Sequence, residues 1–98
     1  MVEVRWTPQA TEDLDSIVEF IARDSTQYAR LFVLDIFQTV ERISKFPQSG
    51  RVVPELKNPV VREVILGQYR LVYRVKGAVL ELLTIYHGAR LLDPSKLT

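Results

Sequence analysis

The chain has no cysteine and, among its 98 residues, only one histidine, one methionine and one tryptophan. Without cysteine there is neither a disulfide framework nor a thiolate metal site, which suits a reducing cytosol. No apolar run approaches the roughly 18–20 residues a membrane span needs, and Met1 leads straight into an alternating stretch rather than a signal peptide. A cytoplasmic protein without a membrane contact is expected, and nothing in the composition calls for a metal or other cofactor. Charge of one sign is lacking too: 13 basic residues against 12 acidic ones leave a net +1. Internal repeats and low-complexity segments are absent. What remains, 47% hydrophobic and 26% charged, is the composition of a globular chain, and the length fits one domain over residues 1–98 with a single two-layer core.

The even balance hides an asymmetry. Up to Phe46 there are eight acidic residues against five basic ones, and from Pro47 onward eight basic against four acidic. An anionic partner is therefore expected to meet the second half of the chain.

Val2, Val4 and Trp6 alternate with Glu3 and Arg5, the pattern of a short half-buried strand. Thr7-Pro8 then supplies an N-cap and a first-turn proline. Ala10, Leu14, Ile17 and Ile21 mark the buried stripe of a first helix ending near Arg23 or Asp24, with Glu12 and Asp13 placed early, where the helix dipole favours acids. Ser25 caps a second helix after a turn of two or three residues. Its core face runs through Ala29, Phe32 or Val33, Ile36, Val40 and Ile43, and Pro47 stops it. Leu31, Leu34 and Phe37 widen the apolar arc beyond what a core contact uses, so they are either buried in the ordinary way or left as a partner-facing strip.

Residues 48–59 read as an ordered loop. Strands follow at Val60 to Leu66, Tyr69 to Lys76 and Val79 to His87, with turns at Gly67-Gln68 and Gly77 and an irregular tail from Gly88 to Thr98. In the middle strand Tyr69, Leu71, Tyr73 and Val75 share an apolar face, and Arg70, Val72, Arg74 and Lys76 a largely basic one. The order β-α-α-β-β-β defines an α+β fold, a helical hairpin packed on one face of a small, mostly antiparallel sheet.

The basic face raises the question of chemistry. Metal-independent RNA cleavage needs a proton acceptor, a proton donor and cations for the phosphorane. His87, Tyr86, Tyr73, Glu63 and Glu81 could move protons, and Arg51, Arg62, Arg70, Arg74 and Arg90 could hold phosphate. The plainer alternatives are solvated or Glu63- and Glu81-paired arginines, a strand-end histidine, and core tyrosines whose hydroxyls find a partner.

The order of elements resembles a known family, together with Trp6, Ala10, Asp13-Leu14, Ile17, Phe46-Pro47, Gly50-Arg51, Pro54-Glu55, Arg62-Glu63, Tyr69 to Tyr73 and His87-Gly88-x-Arg90. Nearly the whole chain is similar to the ParE branch of the RelE/ParE toxin superfamily. That resemblance implies the toxin of a type II toxin–antitoxin pair, of the kind tied to plasmid stabilization and growth arrest. It implies a heteromeric complex in which a small acidic antitoxin wraps the toxin with a flexible C-terminal segment that folds on binding. ParE-like members act on DNA gyrase by direct contact; RelE-like members cut mRNA on the ribosome. The lysine pair expected of RelE-like nucleases between the second helix and the later strands is missing here, where only Lys57 lies, and the His-Gly-x-Arg setting is common among non-nuclease ParE-like members. The leading expectation is thus a gyrase inhibitor without catalytic residues. Its partner-binding surface is expected at Arg51, Arg62, Arg70, Arg74, His87, Arg90, Leu31 and Leu34. A ribosome-dependent nuclease would use His87, Arg62, Arg70 and Tyr86, and a non-toxic binding module of the same fold is a third alternative.

Overall fold

Trp6 ends the first strand, β1 (Glu3–Trp6), and the chain turns at once into a helix because Thr7 and Pro8 leave it no other course. Thr7 accepts the Ala10 N–H on its side-chain oxygen, and its hydroxyl donates to Leu82 O at 2.7 Å, so the cap also ties the helix to the sheet. The computed structural model describes residues 2–88. The expectations for Arg90 and for the tail fall almost wholly outside them.

Helix α1 (Pro8–Asp24) and helix α2 (Thr26–Lys45) are separated by Ser25 alone. The expected turn of two or three residues is thus too long. Ser25 serves both helices, its N–H closing α1 on Ile21 O and its hydroxyl accepting the Tyr28 N–H of α2. A single extended residue forces the helices into a tight hairpin. Glu12 and Asp13 fall beyond the first turn of α1, which holds no acid, so the dipole is not what places them.

The sheet has five strands in the order β1-β5-β4-β3-β2, with β2 (Arg51–Val52) on one edge, then β3 (Val61–Leu66), β4 (Tyr69–Lys76) and β5 (Val79–His87). Strand β2 is a two-residue addition inside the stretch read as loop. Only β1 with β5 is parallel. Gly67 and Gly77 have φ of 59° and 60° and lead two-residue hairpin loops; Gln68 and Ala78 follow at negative φ, the pattern of a II′ turn.

Both helices pack on one face of the sheet. Ala10, Ile36, Val40 and Ile43 meet Leu71, Tyr73, Leu80, Leu82 and Ile85, with Leu14 and Ile17 packed around them. A bulge opposite Val72 and Tyr73 inserts Leu83 into β5. Leu82 and Ile85 thereby both reach the helices, while Leu83 joins Val53, Val61 and Val72 in a smaller cluster on the far face. The continuous apolar run of β5 serves both faces in this way. Beyond Trp6, β5 loses its β1 neighbour, and Asp13 takes over: its carboxylate accepts the Ile85 N–H at 3.1 Å and the Thr84 hydroxyl.

Candidate functional site

The far face of the sheet was expected to be largely basic, its arginines either solvated or paired with Glu63 and Glu81, and in the structure they are paired. Arg70 is 7% exposed. Its Nη1 and Nη2 fork onto both oxygens of Glu55 at 2.9 and 2.8 Å, and its Nε donates to Glu63 at 2.6 Å. Glu63 is fully buried and also accepts Arg51 Nε at 2.6 Å, so one carboxylate joins two arginines from β2 and β4. Arg74 forks onto Glu81 across the β4–β5 ladder. The hydrogen bonds that Arg70 donates to Glu55, with Glu63 adding to them, drive its pKa well above its ordinary value against the cost of burial. All three nitrogens of its guanidinium already donate to carboxylates.

Arg62 does not share this face. In the antiparallel ladder it stands opposite Tyr73, on the helix side, whereas Glu63 stands opposite Val72 on the Arg70 side. The proposed surface of Arg62, Arg70 and Arg74 is therefore corrected: the strand alternation fixed for β4 does not carry Arg62 with it, because Glu63 occupies the matching position on β3. Arg62 Nη1 instead donates to Gly50 O at 2.9 Å and more weakly to Gln48 O. Tyr73 completes that corner, its buried hydroxyl donating to Pro47 O at 2.8 Å and accepting the Gly50 N–H at 2.9 Å. Burial raises its pKa.

The short motifs of the middle of the chain thus form one scaffold. Phe46-Pro47, Gly50-Arg51, Pro54-Glu55, Arg62-Glu63 and the run Tyr69 to Tyr73 are the parts that clasp residues 47–58 to the sheet. Glu55 and Asp13 were not singled out as partners beforehand. The signal for Asp13 was its place beside the half-buried Leu14, facing an edge whose bare N–H only the fold reveals.

His87 closes β5, its ring edge-on to Tyr69 with centroids 5.6 Å apart and Nε2 at 3.3 Å from the Gln68 side chain. With Arg51, Gln68, Arg70 and Gly88 it lines a shallow cleft of about 680 Å³ at the end of the sheet. Tyr86 lies beneath the Arg70 guanidinium, 4.9 Å from the ring centroid. Its hydroxyl is buried with no hydrogen-bond partner among the described residues. Burial pushes its pKa up to about 12, against the opposing pull of Arg70. Of the four residues a nuclease would use, His87 and Arg70 share a cleft, Tyr86 keeps its hydroxyl enclosed, and Arg62 lies on the other face.

On the helices, Leu31, Leu34 and Phe37 remain 52%, 56% and 52% exposed. Spaced three apart, they form a ridge across the outer surface of α2 that ends where Phe37 meets Trp6, ring centroids 6.0 Å apart. Phe20 of α1 and Tyr28 of α2 are exposed as well.

Comparison with known proteins gives consistent findings. The family described as "ParE toxin of type II toxin-antitoxin system, parDE" matches residues 4–92. The chain is 34% identical over 87 residues to Y4kP of Sinorhizobium fredii (strain NBRC 101917 / NGR234), a protein provisionally named a toxin; the match covers 87% of this chain and 86% of the other. Among solved structures, the chromosomal ParDE toxin–antitoxin system of P. aeruginosa superposes with a TM-score of 0.71 at 28% identity, covering 89% of this chain and 96% of that one. The toxin–antitoxin complex RelBE2 of Mycobacterium tuberculosis shares the fold, with a TM-score of 0.56 at 21% identity over 88% of this chain and 96% of that one.

Proposed function

Because the chain belongs to the ParE toxin family of type II toxin–antitoxin systems, we propose that it arrests growth by binding DNA gyrase directly, without chemistry of its own. The observation that carries this reading is the dispersal of the would-be catalytic set. A general acid or base must reach the reacting proton, and a phosphate ligand must have donors to offer. Each nitrogen of the buried Arg70 guanidinium is already bonded to Glu55 or Glu63, and the Tyr86 hydroxyl is enclosed.

A cognate antitoxin holds the toxin inactive in this proposal. The exposed ridge of Leu31, Leu34 and Phe37 suits the apolar face of an amphipathic segment, and Arg51, 58% exposed in its side chain, offers an acidic flank something to meet. The complex forms in the cytoplasm, where gyrase works. Purified toxin should inhibit gyrase supercoiling, and His87→Ala should keep both that inhibition and growth arrest.

One observation favours a second reading. His87 and Arg51 do share a cleft with Gln68, so a ribosome-dependent nuclease has a place to act. Translation-dependent mRNA cuts that vanish in His87→Ala, with supercoiling untouched, would decide for it.

A further inference from the structure

At the other end of β4 from His87, a second cleft of about 630 Å³ opens between the end of α2, the start of β3 and the β4–β5 turn. Phe46, Pro47, Pro59, Val60 and Val75 give it an apolar lining. Phe46 and Val60 are 64% and 45% exposed, large apolar side chains with no packing reason to face water. The cleft is also rigidly framed. Tyr73 fixes Pro47 and Gly50, Arg62 fixes Gln48 and Gly50, the Val60 N–H donates to the Asn58 side chain, and Val60 O accepts the Val75 N–H.

Its charge is one-sided. Arg62 lines the cleft and is bonded to carbonyls, with no carboxylate partner among the described residues. Arg62 and Lys45 are the charged residues of its lining, and both are basic. Lys45 at the rim shares its charge with Glu41, 3.2 Å away.

We propose that this cleft is the docking site for the toxin's target, taking an apolar side chain flanked by carboxylates from a protein segment. The inference rests on the toxin reading above and adds the surface through which the toxin acts. An apolar floor with a cationic rim is complementary to an acidic, apolar-bearing peptide. A nucleic acid would want several cations and a row of aromatic platforms; the cleft holds one arginine within it and one aromatic ring. The antitoxin ridge lies elsewhere: from Leu34 to Lys45 the axis of α2 runs roughly 16 Å. The His87 cleft is roughly 23 Å off along β4.

The test uses the full chain and three variants, Val60→Asp, Phe46→Ala and the conservative Val60→Ile. Each is measured for growth arrest on expression, inhibition of purified bacterial DNA gyrase, binding to a cognate antitoxin and to a short single-stranded RNA, and circular dichroism. Val60 and Phe46 are exposed, so the fold should survive, and a variant with an altered spectrum is set aside in favour of the other. Val60→Asp and Phe46→Ala are expected to weaken growth arrest about tenfold or more and Val60→Ile by less than twofold, with antitoxin affinity unchanged. Full growth arrest from a folded Val60→Asp and Phe46→Ala overturns the proposal. Loss of antitoxin binding also overturns it, by giving the cleft to the antitoxin, as does loss of binding to a short single-stranded RNA that the parent retains. If the parent arrests growth without inhibiting gyrase, the gyrase reading fails while the variants still decide whether the cleft meets the target.

Discussion

Gly50 has no room for a side chain. A Cβ built there would lie 2.5 Å from the Tyr73 hydroxyl and 2.8 Å from Glu63 O, inside any tolerable contact. Gly50→Ala is therefore expected to destabilise by about 1–3 kcal/mol, read as a lower denaturant midpoint, and Tyr73→Phe in the same background should recover part of the loss by removing the clashing oxygen. Tyr86 gives the opposite case. Its enclosed hydroxyl bonds to nothing described, so Tyr86→Phe should cost little at neutral pH. Its folded pKa, raised to about 12, lies above the unfolded value near 10. The folded state then holds the proton longer, and stability is whole below pH 10 and declines as pH climbs through 12. Tyr86→Phe should flatten that alkaline decline, leaving the smaller share due to Tyr73, and denaturant midpoints taken between pH 9 and 12 check it; an unchanged slope defeats the assignment. At this scale the sequence was legible in part. The pairing of Arg74 with Glu81 was one of the two options open for a basic strand face. The pairing of Arg70 with Glu55 was not readable, because fifteen residues and a loop of no regular period separate them.

The elements themselves were largely legible, since each announces its own ends: Thr7-Pro8 and Ser25 by capping, Pro47 by termination, Gly67 and Gly77 by the positive φ of their turns. What periodicity cannot show is where neighbours are missing. The bulge at Leu83 and the bare edge of β5 arise only once β1 is seen to stop at Trp6, opposite Leu82. That edge is why Asp13 matters more than a dipole argument allows. Asp13→Ala leaves the Ile85 N–H and the Thr84 hydroxyl without their acceptor, and the expected loss is about 1–3 kcal/mol. Amide exchange should locate the damage: Ile85 should exchange faster while the β3–β4 ladder stays protected. Uniform acceleration through the sheet would mean that Asp13 supports the whole fold rather than this edge.

Considered whole, the molecule separates what holds it together from what it leaves unused. Among the described residues the buried charges, Glu63 and Arg70, are paired with each other and with the less buried Arg51 and Glu55, and Arg74 is paired with Glu81. Breaking such a set by removing one partner strands a charge, so Glu63→Gln is expected to cost about 3–5 kcal/mol and to reduce toxicity only by reducing folded protein. The apolar ridge of α2 is the reverse, contributing exposed surface that the isolated chain does not need. Leu34→Glu should leave the melting temperature nearly unchanged, because Leu34 is more than half exposed. In the proposed complex the same change places a charge where an apolar segment docks. Antitoxin affinity should then fall by about a hundredfold, a loss of about 2.8 kcal/mol, and co-expressed antitoxin should no longer rescue growth. Calorimetric titration with purified antitoxin measures the first and a growth curve the second. Rescue at parental levels by the same antitoxin, with Leu34→Glu folded, would move the antitoxin off this ridge and onto the strands.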